Sequence, residues 1–263
     1  AKLTGVTATG LGATAITALH STLAADLSGI DTTTTTAAFD GDGTFTGTLD
    51  GAVVTVGDGF TMTAAANVVA GETINKTSTG ALAVTVGTAD AAVDLTTIGG
   101  TAISSVTVTD DVTFTGTLHG TVQTDVDAGF TLTTSAAKAT GKTIADGSGA
   151  ATTAITALDD TVTANLGNIA TTTVTAAVGL SDETVTFTGD LGKAAVTITG
   201  VNGNADDIFN VDGATMGTAT FSVGADAILQ GTAAKLSGVT ATGVGTTAIT
   251  ALDDTVTANL GNI

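Results

Sequence analysis

The phrase AITALDDTVTANLGNI occupies residues 154–169 and returns unchanged over residues 248–263, while a variant, AITALHSTLAADLSGI, covers residues 15–30. A weaker relative, TADAAVDLTTIGG, runs through residues 88–100. All four close on the same L-x-x-I step, at Leu27/Ile30, Leu95/Ile98, Leu166/Ile169 and Leu260/Ile263. A chain that keeps returning to one phrase is a repeat array, and its period decides the fold. Between the phrases lies a second shared block: DGTFTGTLDG from Asp42, DVTFTGTLHG from Asp111 and ETVTFTGDLG from Glu183.

The closing isoleucines are 68, 71 and 94 residues apart, and Phe45, Phe114 and Phe187 are 69 and 73 apart. The first 30 residues match the last 30 without a gap, 233 positions on. Spacings near 70 divide into three steps of about 23, the 94 into four and the 233 into ten. Such a step suits one coil of a three-sided parallel β-solenoid, in which each coil rests on its neighbours. The expectation is therefore an all-β protein, a parallel β-helix with about 23 residues per coil. It is a single array over residues 1–263: the end of a unit at 1–30, units at 31–98 and 99–169, and a longer unit at 170–263 with an extra coil near residues 201–229. The absence of distinctive terminal repeats makes an excerpt of a longer chain the expectation. The rival architecture is a tandem of β-sandwich domains of about 70 residues, which lacks the buried aromatic anchor such domains use. A leucine-rich repeat ranks third, its leucines too sparse.

Local pattern points the same way. Val53 to Val56, Thr61 to Thr63, Ala83 to Val86, Val106 to Thr109 and Ala195 to Thr199 alternate with the period of a half-buried strand. Gly, Asp and Asn clusters such as Gly57-Asp58-Gly59 and Asn202-Gly203-Asn204 separate them as turns. The recurring phrase reads as strand plus corner, since its Thr content and β-branching outweigh a partly helical spacing. Thr-x-Thr steps around Phe45, Phe60, Phe114, Phe130 and Phe187 place Phe inward and Thr outward, in ranks on stacked coils. Threonine ranks of this kind loosely resemble those of solenoidal antifreeze proteins, which implies ice binding as an alternative to plain β-propensity.

Composition limits the chemistry. There are 25 acids against six lysines, a net charge of −19, with 35 Gly and no Pro, Cys, Trp or Tyr. That charge repels nucleic acid and anionic membranes, so neither is an expected partner. No apolar run is long enough to span a bilayer, so membrane insertion is not expected. Acidic turns offer weak Ca²⁺ candidates at Asp40, Asp42, Asp58, Asp110, Asp111, Asp159, Asp160, Asp206, Asp207, Asp253 and Asp254. Calcium takes six to eight oxygens. The first phrase, however, carries His20-Ser21 where the later copies carry Asp-Asp, and solvated turns are the plainer reading. His20 and His119 are the only histidines and both fall at turn positions, which leaves no expectation of a zinc site or a nucleophilic triad. No other cofactor is expected. Asn75-Lys76-Thr77 is a lone glycosylation sequon.

The phrase, the TFTG block and the Thr/Ala/Gly/Asp bias together resemble the β-strand repeat regions of large bacterial surface proteins, the adhesin, surface-layer and fibre type. The resemblance is one of composition over the whole chain. It implies secretion and a structural or adhesive role at the cell surface. The residues themselves carry no catalytic set, so no enzyme is expected, and a repeat whose ends stack on ends is expected to self-associate end to end or laterally into a filament or layer. A module binding glycan, ice or Ca²⁺ is the alternative. A polysaccharide lyase or hydrolase on a β-helix is more distant, because sugar-cleaving grooves are usually lined by the Tyr and Trp this chain lacks.

Overall fold

The computed structural model describes residues 7–19, 24–201, 207–252 and 258–263. Its contacts divide the chain into two units, Ala1–Phe130 and Thr131–Ile263. Each is a parallel β-solenoid.

In the first unit one sheet is built from Ala8–Leu19, Ile30–Phe39, Val53–Val56, Thr73–Lys76 and Gly99–Gly100. A second is built from Gly43–Phe45, Thr61–Ala65, Ala81–Val86, Ile103–Val108 and Thr124–Val126. In the second unit Thr131–Ser135, Thr152–Thr156, Thr173–Gly179, Ala195–Thr199, Thr220–Val223 and Thr240–Gly243 form one ladder. Thr184–Thr186, Ile208–Asn210, Ile228–Gly231 and Thr246–Ile249 form another. Every strand pair registered among the described residues is parallel and joins segments one coil apart, which rules out tandem antiparallel sandwiches. The step varies: Thr36 lies over Val53, Thr61 over Ala81, Val84 over Val106 and Thr73 over Gly99. Coils therefore run from 17 to 26 residues around a mean near 20.

Strand alternation sets what points inward. Val54, Val56, Met62, Ala64, Leu82 and Val84 are buried, and their neighbours Thr55, Thr61, Thr63 and Ala83 face out. Phe45, Phe114 and Phe187 are fully buried between exposed threonines, as the TFTG block predicts. Phe60 and Phe130 differ. They sit half-exposed after the Gly-Asp-Gly and Asp-Ala-Gly turns, and Met62 and Leu132 take the inward places. A strand starts one residue too late there for the aromatic to face the core. Among the described residues α-helix is confined to Ala66–Val69, Ala136–Ala139 and Ala233–Leu236, one turn each, with short 3-10 turns at Thr88–Asp90 and Leu95–Thr97.

The third side explains why two different phrases share a period. The strand part of the recurring phrase is Thr152–Thr156, and residues 157–169 form the corner. Within it the Leu166 N–H donates to Asp190 O of the next coil, and Ile169 N–H closes a tight turn onto Leu166 O. The TFTG block makes the same corner: Leu191 N–H donates to Thr215 O, and Ala194 N–H closes onto Leu191 O. The first unit repeats it at Leu27/Ile30 and Leu49/Ala52. Leu27, Leu49, Leu95, Leu118, Leu166 and Leu191 are all at most 1% exposed, one per coil. The short helices supply the same closure through Glu72 N–H to Val69 O, Lys142 N–H to Ala139 O and Val239 N–H to Leu236 O.

The glycine of TFTG has a steric cause at this corner. A Cβ on Gly47 would lie 1.8 Å from the carbonyl oxygen of Ala25, on Gly116 1.8 Å from that of Val93, and on Gly189 2.0 Å from that of Ala164. Each coil rests there directly on the backbone of the one before it.

Candidate functional site

The chain's chemistry sits almost wholly in carboxylates at the corners. A corner interrupts the strand ladder, so its backbone N–H groups need acceptors from elsewhere. A carboxylate on an adjacent coil provides them. Asp42 accepts from Thr61 N at 2.7 Å, and Asp58 accepts from Thr79 N at 3.0 Å and Thr79 Oγ1 at 2.7 Å. Glu72 accepts from Gly51 N at 3.0 and 3.3 Å. Asp90, 3% exposed, receives Asn67 N at 2.8 Å on one oxygen and Gly87 N at 2.9 Å on the other.

The second unit repeats the device. Asp146 accepts from Thr172 N at 2.9 Å and Thr172 Oγ1 at 2.6 Å, and Asp159 accepts from Gly179 N at 3.1 Å. Asp207, fully buried, takes Asp182 N at 2.6 Å and Val201 N at 2.7 Å, and Asp212 takes Thr232 N. Lysines play the complementary part: Lys193 Nζ donates to Ala170 O at 3.2 Å, and Lys235 Nζ donates to Ala214 O. A further set works within one corner, where Asp26, Asp94, Asn165, Asp190 and Asn259 each accept the N–H two residues on.

These partners shift titration. Hydroxyl and backbone donors from Thr79 hold the Asp58 carboxyl below the usual carboxylate range, Thr172 does the same for Asp146, and Ser28 for Asp26. Glu72 is pushed up by burial, against the Gly51 N–H that favours its charge.

Of the calcium candidates, Asp42, Asp58, Asp159 and Asp207 are thus acceptors for a neighbouring coil or turn. Asp110 caps its own turn through Asp111 N at 2.9 Å, Asp40 donates its N–H to Leu19 O, and Asp160 is exposed. Asp206, Asp253, Asp254 and His20 lie outside the described residues. Among the described residues no three His, Cys, Asp or Glu side chains gather where they would hold a metal ion. His119 Nδ1 accepts from Val122 N at 3.0 Å and caps its turn.

The chain matches no family model, no curated protein and no solved structure.

Two further surfaces among the described residues bear on function. A groove of about 510 Å³ in the first unit is lined by Thr32 to Thr35, Asp31 and Asp50. In the second unit the outer face of the longer sheet carries no charge. Its rows are Thr131–Thr152–Thr173, Thr175–Ala195–Thr220–Thr240 and Ala177–Thr197–Ser222–Thr242. Ala and Ser interrupt the threonine ranks. The carboxylate pairing across coils was missed in the sequence, although acids followed by Gly or Thr one coil later carry a signal for it.

Proposed function

We propose that the chain is a structural repeat segment of a bacterial extracellular surface structure, serving as a stalk, fibre or surface-layer element. The observation that carries this reading is the use of the carboxylates. At least one acid in most described coils binds backbone N–H groups of its neighbour, so the acidity holds the stack together and keeps its surface charged and solvated. A scaffold built for catalysis would instead converge such groups on a pocket. The unchanged return of residues 154–169 at 248–263 favours a spacer whose length is set by repeat number.

Immunogold labelling of intact, unpermeabilised source cells tests this. Dense surface labelling is expected, and labelling that appears only after permeabilisation would overturn the proposal. A second reading, a binding module, is favoured by the uncharged Thr/Ser/Ala face of the second unit, the surface type an ice or glycan ligand would meet. Thermal hysteresis of the purified chain would support the ice form.

A further inference from the structure

Each unit contains the same ledge. In the first, Asp26 lies over Thr48 and Thr36 over Val53, so ten residues of one coil span what five span on the next. In the second, Asn165 lies over Asp190 and Thr175 over Ala195, again ten against five. The surplus residues form a ledge over the shorter corner, and the two ledges fold alike. The Thr32 hydroxyl bonds that of Thr14 at 3.2 Å, and the Thr171 hydroxyl bonds that of Thr153 at 2.9 Å. On the next coil the same turn closes, Ala52 N–H onto Leu49 O and Ala194 N–H onto Leu191 O.

What lies between ledge and turn differs. In the second unit Lys193, third residue of its turn, sends its ammonium to Ala170 O of the ledge at 3.2 Å. In the first unit the third residue is Gly51, Asp31 stands where Ala170 does, and the space is the groove of about 510 Å³. The same exchange recurs at the short helices. Lys235 of Ala233–Leu236 sends its ammonium to Ala214 O. The matching residue of Ala66–Val69 is Val68, which lines a second cavity of about 300 Å³ with Gly47, Thr48, Asp50 and Glu72. Asp50 borders both cavities. Among the described residues no donor engages the carboxylates of Asp31 and Asp50, unlike those of Asp42, Asp58 and Glu72.

We propose that these two cavities bind a linear aliphatic polyamine, one protonated primary amine in each, where the second unit places the Lys193 and Lys235 ammonium groups. An alkylammonium is charged at neutral pH and carries only donors, which the Asp31 and Asp50 carboxylates and the ledge threonines accept. Two amines on one short chain bind as a tethered pair, each raising the effective concentration of the other. A ligand site of this kind goes beyond the structural role proposed above.

Spermidine titrated into the purified chain at 0.15 M NaCl, followed by calorimetry, tests this. One saturable site is expected. Asp50→Asn should weaken it at least tenfold, and Asn suits the φ of +50° at that position. Asp160→Asn removes the same charge from an exposed site on the second unit and should leave binding unchanged. Val68→Lys, which supplies an ammonium of its own as Lys235 does, should abolish binding at the second cavity and weaken the whole at least tenfold. Absence of saturable heat, an equal loss in Asp50→Asn and Asp160→Asn, or affinity unchanged by Asp50→Asn would each overturn the proposal.

Discussion

Replacing Gly47 with Ala puts a methyl group 1.8 Å from Ala25 O and 2.6 Å from its carbonyl carbon. Neither neighbour is the end of a flexible side chain, so the two coils must part. Restoring an ordinary contact needs a movement of more than about 1 Å, which takes hydrogen bonds near 3 Å out of range. The bonds at stake are Thr48 N to Ala25 O at 2.8 Å and Leu27 N to Thr48 O at 3.0 Å. Leaving their groups unpaired costs about 1–3 kcal/mol each, so a loss of about 2–6 kcal/mol is expected. Gly51→Ala is the control. Its Cβ meets nothing within 4 Å, and its φ of +76° alone costs about 1–2 kcal/mol. Urea unfolding of both variants, followed by circular dichroism, gives the comparison. Equal midpoints for Gly47→Ala and Gly51→Ala would refute the direct seating of one coil's backbone on the next.

Asp90→Ala removes both acceptors of a buried staple and should lower stability by about 2–4 kcal/mol, with Asp90→Asn losing less because one oxygen stays an acceptor; urea midpoints check both. Acid should act in two stages. The Glu72 pKa is raised above 4.5 in the folded state, so its contribution to stability grows as pH falls through that raised value. Asp58 and Asp146 are lowered below 3.8, so their contribution is full above 3.8 and is lost as pH falls through their folded values. Glu72→Gln should abolish the first trend and leave the second; a stability curve unchanged by it would contradict the assignment. Calorimetric titration with Ca²⁺ should show no saturable heat and no change in melting temperature, because Asp42, Asp58, Asp90, Asp146 and Asp207 accept backbone N–H groups and no three metal-binding side chains gather among the described residues.

Much of the fold was legible in the sequence because parallel stacking repeats its demands. Val53–Val56 and Ala195–Thr199 alternate in the structure as they do in the sequence, and residues 154–169 divide into the strand and corner their β-branching suggests. The corner itself was only half visible. Its leucine is plain in L-x-x-I, but the closing residue is Ile at 30 and 169 and merely Ala at 52 and 194, small enough to fit the same turn. The one-turn helices at Ala66–Val69 and Ala136–Ala139 escaped notice because four residues carry no period. The acids were the least legible. Asp42, Asp58 and Asp159 are each paired with an N–H some twenty residues away, and that distance is set by the coil length rather than by any local motif.

The account rests on parallel coils about twenty residues in circumference, and nuclear Overhauser contacts in the isotopically labelled protein test it most directly. Amide-to-Hα contacts between Val84 and Val106, Thr152 and Thr173, and Ala195 and Thr220 are expected. Strong Hα–Hα contacts between strands joined by short loops, the mark of antiparallel hairpins, would contradict it.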